Sequence, residues 1–178
     1  MTNINLNPKY IPLFQSKDRY YVITGGRGSG KSYGINTFLL LLTFESDHNI
    51  LFTRYTMASA HISIIPEFLE KIELLGLESS FEITKTQIVN KDSGSKIIFR
   101  GLRTSSGDQS ASLKSLQGVT TWVLEEAEEL NDESVFDKID LSVRKKGIDN
   151  RIMLVLNPAT KEHWIYQRFF ESKGIDSK

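Results

Sequence analysis

The stretch GGRGSGKS, residues 25–32, decides the fold. It is preceded by RYYVITG (19–25), a β-branched and aromatic run that predicts a strand. It is followed by SYGINTFLLLLTF (32–44), whose apolar residues recur at helical spacing. A glycine-rich loop that joins a strand to a helix and reads G-x-x-x-x-G-K-[ST] is typical of a phosphate-binding loop. The fixed positions of that pattern are Gly25, Gly30, Lys31 and Ser32.

The residue types in this loop suit a nucleotide. Glycines adopt backbone conformations closed to other residues, which brings N–H groups against phosphate oxygens, and the N-terminus of the following helix adds partial positive charge. Lys31 supplies a charge for the β- and γ-phosphates, and the Ser32 hydroxyl is a ligand for Mg²⁺. The loop therefore predicts a site for a nucleotide with Mg²⁺. The residues expected to line it are Gly25, Gly26, Arg27, Gly28, Ser29, Gly30, Lys31 and Ser32.

Two acids follow an apolar run farther along the chain, in TWVLEE at residues 121–126. Nucleotide hydrolysis needs a carboxylate for Mg²⁺ and a second group that deprotonates or orients the attacking water. We assign Glu125, the acid nearest the strand, to Mg²⁺ and Glu126 to the general base. Glu128 and Glu129 are the alternatives, although acids in the first turn of a helix are usually solvated.

ATP is the expected nucleotide. A GTP-binding protein carries an Asn-Lys-x-Asp segment that recognises the guanine base. The nearest match is NKDS at residues 90–93, which has Ser in place of the final Asp and lies in a predicted hairpin turn.

The rest of the chain alternates between strand and helix patterns. This alternation indicates an α/β fold with three layers, in which helices cover both faces of a mainly parallel central sheet. We expect one domain over residues 1–178, with its core at about 19–170. Further strands are predicted at NILFTRY (49–55), GVTTWVL (118–124) and RIMLVLNPAT (151–160), and further helices at residues 58–75 and 132–143.

Three segments carry more specific predictions. FEITKTQIV (81–89) and KIIFRGL (96–102) are expected to form a hairpin that decorates the sheet, because Asn, Asp and Gly in the residues between them favour a turn. Residues 103–115, rich in Ser and Gly, are predicted to be a flexible loop. Pro66 is expected to kink or restart the helix that contains it.

Composition narrows the range of functions. The 178 residues include 22 Lys and Arg and 22 Asp and Glu, so no bulk positive charge indicates nucleic acid. The absence of cysteine excludes disulfides and thiolate metal sites. The longest apolar run, FLLLLTF at 38–44, is too short to span a membrane. We expect no zinc site either, because the histidines lie at no ligand spacing: His48, His61 and His163.

These segments together resemble the large terminase subunit of tailed bacteriophages, a motor that packages DNA into an empty capsid. The resemblance rests on the arginine-containing loop GGRGSGKS, on LKSLQGVTTWVLEEAEEL and on LVLNPATKEHWIYQRFF, and it covers roughly residues 20–170. It implies an ATPase of the additional-strand, catalytic-glutamate type. Family members usually continue into a nuclease domain, for which this chain has no room.

The resemblance also implies partners. These are double-stranded DNA, a portal protein and a small terminase subunit, in the cytoplasm of the host cell and without a membrane. The chain is expected to be a monomer in isolation and a homo-oligomeric ring when active.

Three residue roles follow from the resemblance. Arg27 would stabilise or sense the γ-phosphate within its own subunit, which suits the fork geometry of a guanidinium group. Asn157 matches the coupling motif, in which a polar side chain after a core strand transmits hydrolysis to the rest of the domain. Lys114 is the candidate finger that reaches the site of a neighbouring subunit, ahead of Arg100 and Arg103. Outside the family pattern, stacking on adenine by Tyr10 and Phe14 is an alternative to simple packing.

Other classes of function remain open from the sequence. One is a helicase-like or AAA-type ATPase that acts on nucleic acid or protein, because the loop and the acidic pair are shared across that class. Another is a nucleotide-binding assembly module without hydrolysis, which the intact pair Glu125 and Glu126 disfavours. The hypothesis of a nucleotide kinase is weaker. A kinase usually has an arginine-rich lid, and the serine-rich residues 104–115 would make a poor one.

Overall fold

The computed structural model describes residues 5–56, 60–104, 107–108, 117–158 and 160–175, with the side chains of 60–62, 103–104 and 107–108 left out. Within these ranges eight strands form one sheet. They are β1 (Tyr20–Thr24), β2 (Asn49–Thr56), β3 (Phe81–Ile83), β4 (Gln87–Asn90), β5 (Lys96–Thr104), β6 (Gly107–Asp108), β7 (Thr121–Glu125) and β8 (Arg151–Leu156).

The described α-helices lie between or beside these strands. They are α1 (Ile11–Gln15), α2 (Lys31–Leu42), α3 (Ala60–Leu75), α4 (Glu133–Asp140) and α5 (Trp164–Phe169). Short 3₁₀ turns cover Pro8–Tyr10, Glu78–Ser80, Ala127–Glu129 and Glu171–Lys173. None of the helices within the described ranges is long and apolar enough to cross a membrane.

The sheet is mixed but mostly parallel. Its order is β1-β8-β7-β2-β5-β4-β3, with β6 paired to β5. The first five strands in that order pair in parallel: β1, β8, β7, β2 and β5. Strand β4 pairs antiparallel with both β5 and β3. Strand β8 therefore lies between β1, which leads into the glycine-rich loop, and β7, which ends at the acids. These ends lie at the carboxyl edge of the sheet.

Helices cover both faces of the sheet, as the alternation of segments predicts. On one face, Phe52 of β2 packs edge-on against Phe68 of α3, with 5.9 Å between ring centroids. On the other, Trp122 of β7 packs against Phe136 of α4 at 5.3 Å. Val123 belongs to the first core and Trp122 to the second, because successive side chains of a strand point to opposite faces.

The predicted hairpin needs correction. Strand β4 does pair antiparallel with β5, as expected. FEITKTQIV is not one strand, however, because it breaks at residues 84–86 into β3 and β4, which pair with each other. Nor does β5 merely decorate the sheet, since it pairs in parallel with β2 along most of its length.

Two further segments have more regular secondary structure than the sequence predicts. Helix α3 runs without interruption through Pro66 from Ala60 to Leu75. The start of the predicted loop, Arg103–Thr104, belongs to β5 and pairs with β6. Most of residues 105–116 lie outside the described residues.

Candidate nucleotide site

The glycine-rich loop connects β1 to the N-terminus of α2. Gly28 and Gly30 have φ angles of 74° and 78°, in the left-handed region that favours glycine, and Gly30 immediately precedes the helix. Lys31 and Ser32 form the first turn of α2, where backbone N–H groups lack partners within the helix. The loop thus offers N–H donors and the positive end of a helix to the same space.

Lys31 makes hydrogen bonds both to the start of this loop and to the residue that follows β8. Its ammonium group donates to the carbonyl oxygens of Gly25 and Gly26, the latter at 3.0 Å. It also donates to Oδ1 of Asn157, just after β8, at 3.3 Å. None of these acceptors is a carboxylate. Within the described residues, Lys31 therefore forms no ion pair.

Glu125 lies at the end of β7, next to the loop. Its side chain is buried, and Ser32 Oγ donates to its Oε1 at 3.3 Å. The second oxygen, Oε2, accepts from Arg54 Nε at 2.7 Å. The two residues assigned to Mg²⁺ from the sequence, Ser32 and Glu125, are therefore in contact.

Arg54, near the end of β2, is a site residue that the sequence interpretation missed. Besides Glu125, its Nε lies 3.8 Å from Oε2 of Glu126, and its NH1 lies 3.3 Å from Ser63 Oγ. Burial acts to lower the pKa of Arg54, but pairing with Glu125 and Glu126 outweighs it, so the pKa is raised. The sequence indicates a special role for Arg54 in only one way, because Arg54 is the one charged residue in the predicted strand NILFTRY.

Glu126 occupies an unusual backbone position. Its φ and ψ are 55° and 44°, in the left-handed region, and it begins the 3₁₀ turn Ala127–Glu129. Its side chain remains 43% exposed, whereas that of Glu125 is 10% exposed. Water can therefore reach Glu126, while Glu125 is enclosed by Ser32 and Arg54.

Glu128 is not the solvated acid that its place after the strand predicts. Its Oε1 accepts from Nδ2 of Asn157 at 2.8 Å. Its Oε2 is buried and has no hydrogen-bond partner among the described residues. Glu129, the other alternative, is an exposed residue. The partial burial of its carboxyl group and the charge of Glu126 raise its pKa.

Residues 26–33 of the loop and of α2 line an open pocket of about 380 Å³ together with Arg54, Glu125, Glu126 and the end of β8. Arg27 is exposed at its edge and makes no hydrogen bond or ion pair within the described residues, so its predicted contact with a γ-phosphate stays a prediction. The pocket is lined by Gly26, Arg27, Gly28, Ser29, Gly30, Lys31, Ser32, Tyr33, Arg54, Glu125, Glu126, Val155, Leu156 and Asn157.

Among the candidate fingers, the structure describes the side chain of Arg100 alone. Lys114 is outside the described residues, and so is the side chain of Arg103. Arg100 is half-buried on β5, where its guanidinium donates to the carbonyl of Phe99 at 2.8 Å. The assignment of the finger to Lys114 therefore stays a prediction.

The aromatic residues before β1 act in packing. Tyr10 is buried, and its ring lies so close to Gly34 of α2 that a Cβ there would be 2.6 Å from it. Phe14 packs edge-on against Phe38 at 5.1 Å. These contacts favour the packing alternative over stacking on a base.

The chain is similar to known proteins along nearly its whole length. A family model described as phage terminase large subunit matches residues 17–178. The PBSX phage terminase large subunit of Bacillus subtilis is 26% identical over 170 residues, and the large terminase subunit of Bacillus phage SPP1 is 25% identical over 191. These matches cover 94% and 97% of this chain but only 38% and 44% of the relatives.

Solved structures share the fold. The large terminase of a thermophilic bacteriophage matches 96% of this chain with a TM-score of 0.74 at 13% identity, over 44% of its own length, and a crystal form of it with ADP matches at 0.63. The ATPase domain of the Thermus phage P74-26 large terminase gives 0.61 at 19% identity, over 92% of this chain and 68% of that one.

The Phi-29 viral genome packaging motor assembly gives a TM-score of 0.64 at 16% identity, over 97% of this chain and 52% of that one. At such identities the structural likeness shows a common fold, and the α/β architecture predicted from the sequence is confirmed. The family model carries the assignment, because it spans residues 17–178 of the 178. The chain belongs to the phage terminase large subunit family.

Proposed function

We propose that this chain is an ATPase that drives the packaging of double-stranded DNA into a phage procapsid. The observation that carries the proposal is the 3.3 Å contact between Ser32 Oγ and Glu125 Oε1 beside Lys31. It joins the phosphate-binding loop to the acidic strand in one pocket. The ADP-bound crystal form of the thermophilic bacteriophage terminase supports a nucleotide as the ligand.

The residues present fit Mg²⁺. Among the described residues no group of three or more His, Cys, Asp and Glu side chains could hold a metal ion alone. Mg²⁺ does not require such a group, because it is commonly bound by one or two carboxylates together with substrate phosphates. Ser32 and Glu125 would hold it, and when bound it neutralises charge on the β- and γ-phosphate oxygens.

Three side chains would then act on the phosphates and the attacking water. Glu126, whose side chain is 43% exposed beside the enclosed Glu125, would deprotonate a water molecule for in-line attack on the γ-phosphate. Lys31 and Arg27 would stabilise the charge that develops on the phosphate oxygens. Arg54 holds Glu125 and approaches Glu126, so it sets the position of both acids relative to the loop.

The strand order supports the additional-strand, catalytic-glutamate class of phosphate-loop ATPases. In that class one strand separates the strand before the loop from the strand that bears the acids, and β8 has this position here. Asn157, which follows β8 and contacts Lys31, is accordingly the proposed coupling residue.

The wider biological assignments rest on family membership. We propose residues 1–178 as an ATPase domain, double-stranded DNA as the polymer that is moved, and a portal protein and a small terminase subunit as partners in the host cytoplasm. The Phi-29 packaging motor assembly, a structure of the same fold, supports action within a multi-protein motor.

The central experiment measures ATP turnover by the purified chain with and without duplex DNA, with Lys31→Ala as the inactive control. Turnover that rises with DNA supports the packaging motor. Turnover without any response to DNA favours an ATPase that acts on another substrate. Nucleotide binding without turnover at any protein concentration favours the assembly module and contradicts the proposal.

A mixing experiment tests the ring. If Lys114 of one subunit completes the site of its neighbour, Lys114→Ala and Glu126→Gln proteins should together recover part of the activity that each lacks. An arginine finger supplied in trans contributes about 10³-fold to 10⁵-fold to turnover in GTPases, and a lysine, which lacks the bidentate fork, should contribute at the low end of that range. Flat activity per subunit across concentration, with no recovery at any mixing ratio, would mean that each subunit works alone.

A further inference from the structure

Glu128 is connected to the nucleotide pocket through Asn157. Asn157 Nδ2 donates to Glu128 Oε1 at 2.8 Å, and Asn157 Oδ1 accepts from Lys31 Nζ at 3.3 Å. The three side chains come from the acidic segment, the end of β8 and the start of α2. They form one continuous chain of hydrogen bonds across the carboxyl edge of the sheet.

The chemistry of the end groups fixes the orientation of the amide in the middle. An ionised carboxylate only accepts hydrogen bonds, and an ammonium group only donates them. If the Asn157 amide turned over, its oxygen would face Glu128 and its NH₂ group would face Lys31, so both bonds would be lost. Glu128 and Lys31 therefore hold Asn157 in a single orientation.

Glu128 is also connected to Glu126 through the backbone of one short turn. Both belong to the turn that follows β7, in which Glu129 N donates to Glu126 O at 2.9 Å. The next residue, Leu130, accepts a hydrogen bond from the indole of Trp164 in α5, which anchors the end of this turn. A displacement of Glu128 would therefore act on the backbone of Glu126.

Burial adds a second indication that Glu128 serves more than solubility. Its Oε2 is shielded from solvent without a hydrogen-bond partner among the described residues, an arrangement that opposes stability. An alanine or leucine would avoid that unfavourable term. The carboxylate is explained here by the Asn157 amide that its other oxygen orients.

We propose that Glu128 is a positioning residue, which orients Asn157 toward Lys31 and so links the state of the phosphate-binding loop to the turn that carries Glu126. This inference rests on the proposed ATPase function. Nucleotide binding draws the Lys31 ammonium toward the phosphates, which alters its bond to Asn157. Glu128 passes that change to the turn of the general base.

A double-mutant cycle tests this role. Because Glu128 acts through Asn157, we expect Glu128→Ala to lower kcat about tenfold, with ADP affinity and thermal midpoint nearly unchanged. In an Asn157→Ala background the same substitution should cost nothing further. Equal losses in both backgrounds would overturn the proposal, since they would mean that Glu128 acts independently of Asn157.

Two further variants separate positioning from general stability. Glu128→Gln keeps an acceptor for Asn157 Nδ2 and should restore kcat to within about threefold of the wild type, since a neutral hydrogen bond replaces a charge-assisted one. The matched control is Glu171→Ala, which removes an exposed acid from another 3₁₀ turn and should leave kcat unchanged. A Glu128→Gln protein as slow as Glu128→Ala would contradict the role.

The side-chain amide of Asn157 gives a measurement that does not depend on turnover. In ¹⁵N NMR spectra its two amide protons should be well separated and should move when either Glu128 or Lys31 is replaced by alanine. An Asn157 amide that ignores Glu128→Ala would refute the inference. A wild-type chain that fails to hydrolyse ATP would instead refute the proposed function, and the NMR result would still decide the role of Glu128.

Discussion

Arg54 and Glu125 form an ion pair between neighbouring parallel strands, with 2.7 Å between Nε and Oε2. Ser32 donates to the other oxygen of the same carboxylate, so Glu125 is held from both sides. Because Glu125 is the proposed Mg²⁺ partner, Arg54 both neutralises this acid and competes with a cation for it.

Replacement of Arg54 by methionine should expose that competition. Breaking a buried ion pair by removing one partner costs about 3 kcal/mol of folding stability, because the remaining charge is left unpaired. We expect Arg54→Met to unfold at a lower temperature in EDTA and to be stabilised by millimolar Mg²⁺ more than the wild type is. Thermal unfolding with and without Mg²⁺ measures both effects.

The control for that comparison is Arg54→Lys, which keeps the charge but not the fork geometry and should be intermediate. An identical response to Mg²⁺ in the wild type and Arg54→Met would argue against Glu125 as a Mg²⁺ ligand.

Lys31→Ala should weaken ADP binding by about a hundredfold, since it removes charge-assisted hydrogen bonds to the phosphates. The fold should persist, because Lys31 makes no ion pair among the described residues. Calorimetric titration with ADP measures the affinity, and Lys146→Ala, which removes an exposed lysine, is the control. Unchanged affinity in Lys31→Ala would mean that the phosphates lie elsewhere.

The two acids should respond differently to the same isosteric change. Glu126→Gln should bind nucleotide normally but lose about 10²-fold to 10⁴-fold in turnover, the usual contribution of a general base. Glu125→Gln should instead raise the Mg²⁺ concentration needed for activity. Turnover measured across a Mg²⁺ titration distinguishes them, and the opposite pattern would exchange the two assignments.

The backbone at Glu126 predicts a conflict between stability and activity. A residue with a Cβ pays about 1 kcal/mol or more in the left-handed region, and glycine does not. Glu126→Gly should therefore be more stable than Glu126→Ala, although both lack the carboxylate and both should be inactive. Urea denaturation compares them, and equal stability would show that the strain is relieved in solution.

His48 should make folding stability depend on pH. It is buried, with Nδ1 3.3 Å from Thr120 Oγ1 and Nε2 3.4 Å from Glu45 Oε2, and burial lowers its pKa below the ordinary 6.5. The unfolded chain then binds a proton more readily than the folded one. This contribution to stability is complete above pH 6.5 and is lost as the pH falls through the folded pKa.

Denaturation of wild type and His48→Gln at pH 7.5 and at pH 5.5 would check this, with the pH values chosen to lie about one unit on either side of the ordinary pKa. The wild type should lose more stability on acidification than the variant. Equal losses would assign the pH dependence to other groups.

The parts of the site that the sequence predicts are those encoded locally. The loop and the pair Glu125 and Glu126 each lie next to a strand whose pattern is clear, so their identity follows from short segments. The role of Arg54 could not be predicted in this way, because it depends on β2 lying beside β7, and no local pattern specifies that pairing.

The same limit explains the other errors. The sequence pattern of FEITKTQIV does not show that β3 folds back on β4, nor that β5 pairs with β2. Glu128 has the spacing of a solvated helix-start acid, and only the position of Asn157 beside it reveals another partner. Contacts between distant segments are therefore what the sequence left undetermined.

The insertion of β8 between β1 and β7 sets the spacing between the strand that precedes the loop and the strand that ends at the acids. Neighbouring strands lie about 4.8 Å apart, so one intervening strand holds the backbones of β1 and β7 about 10 Å from each other, a distance that the side chains of Ser32 and Glu125 bridge. Hydrogen bonding along both sides of β8 keeps this spacing fixed. In the proposed motor the sheet would therefore act as a spacer, and movement after hydrolysis would begin with side chains and helices at its carboxyl edge.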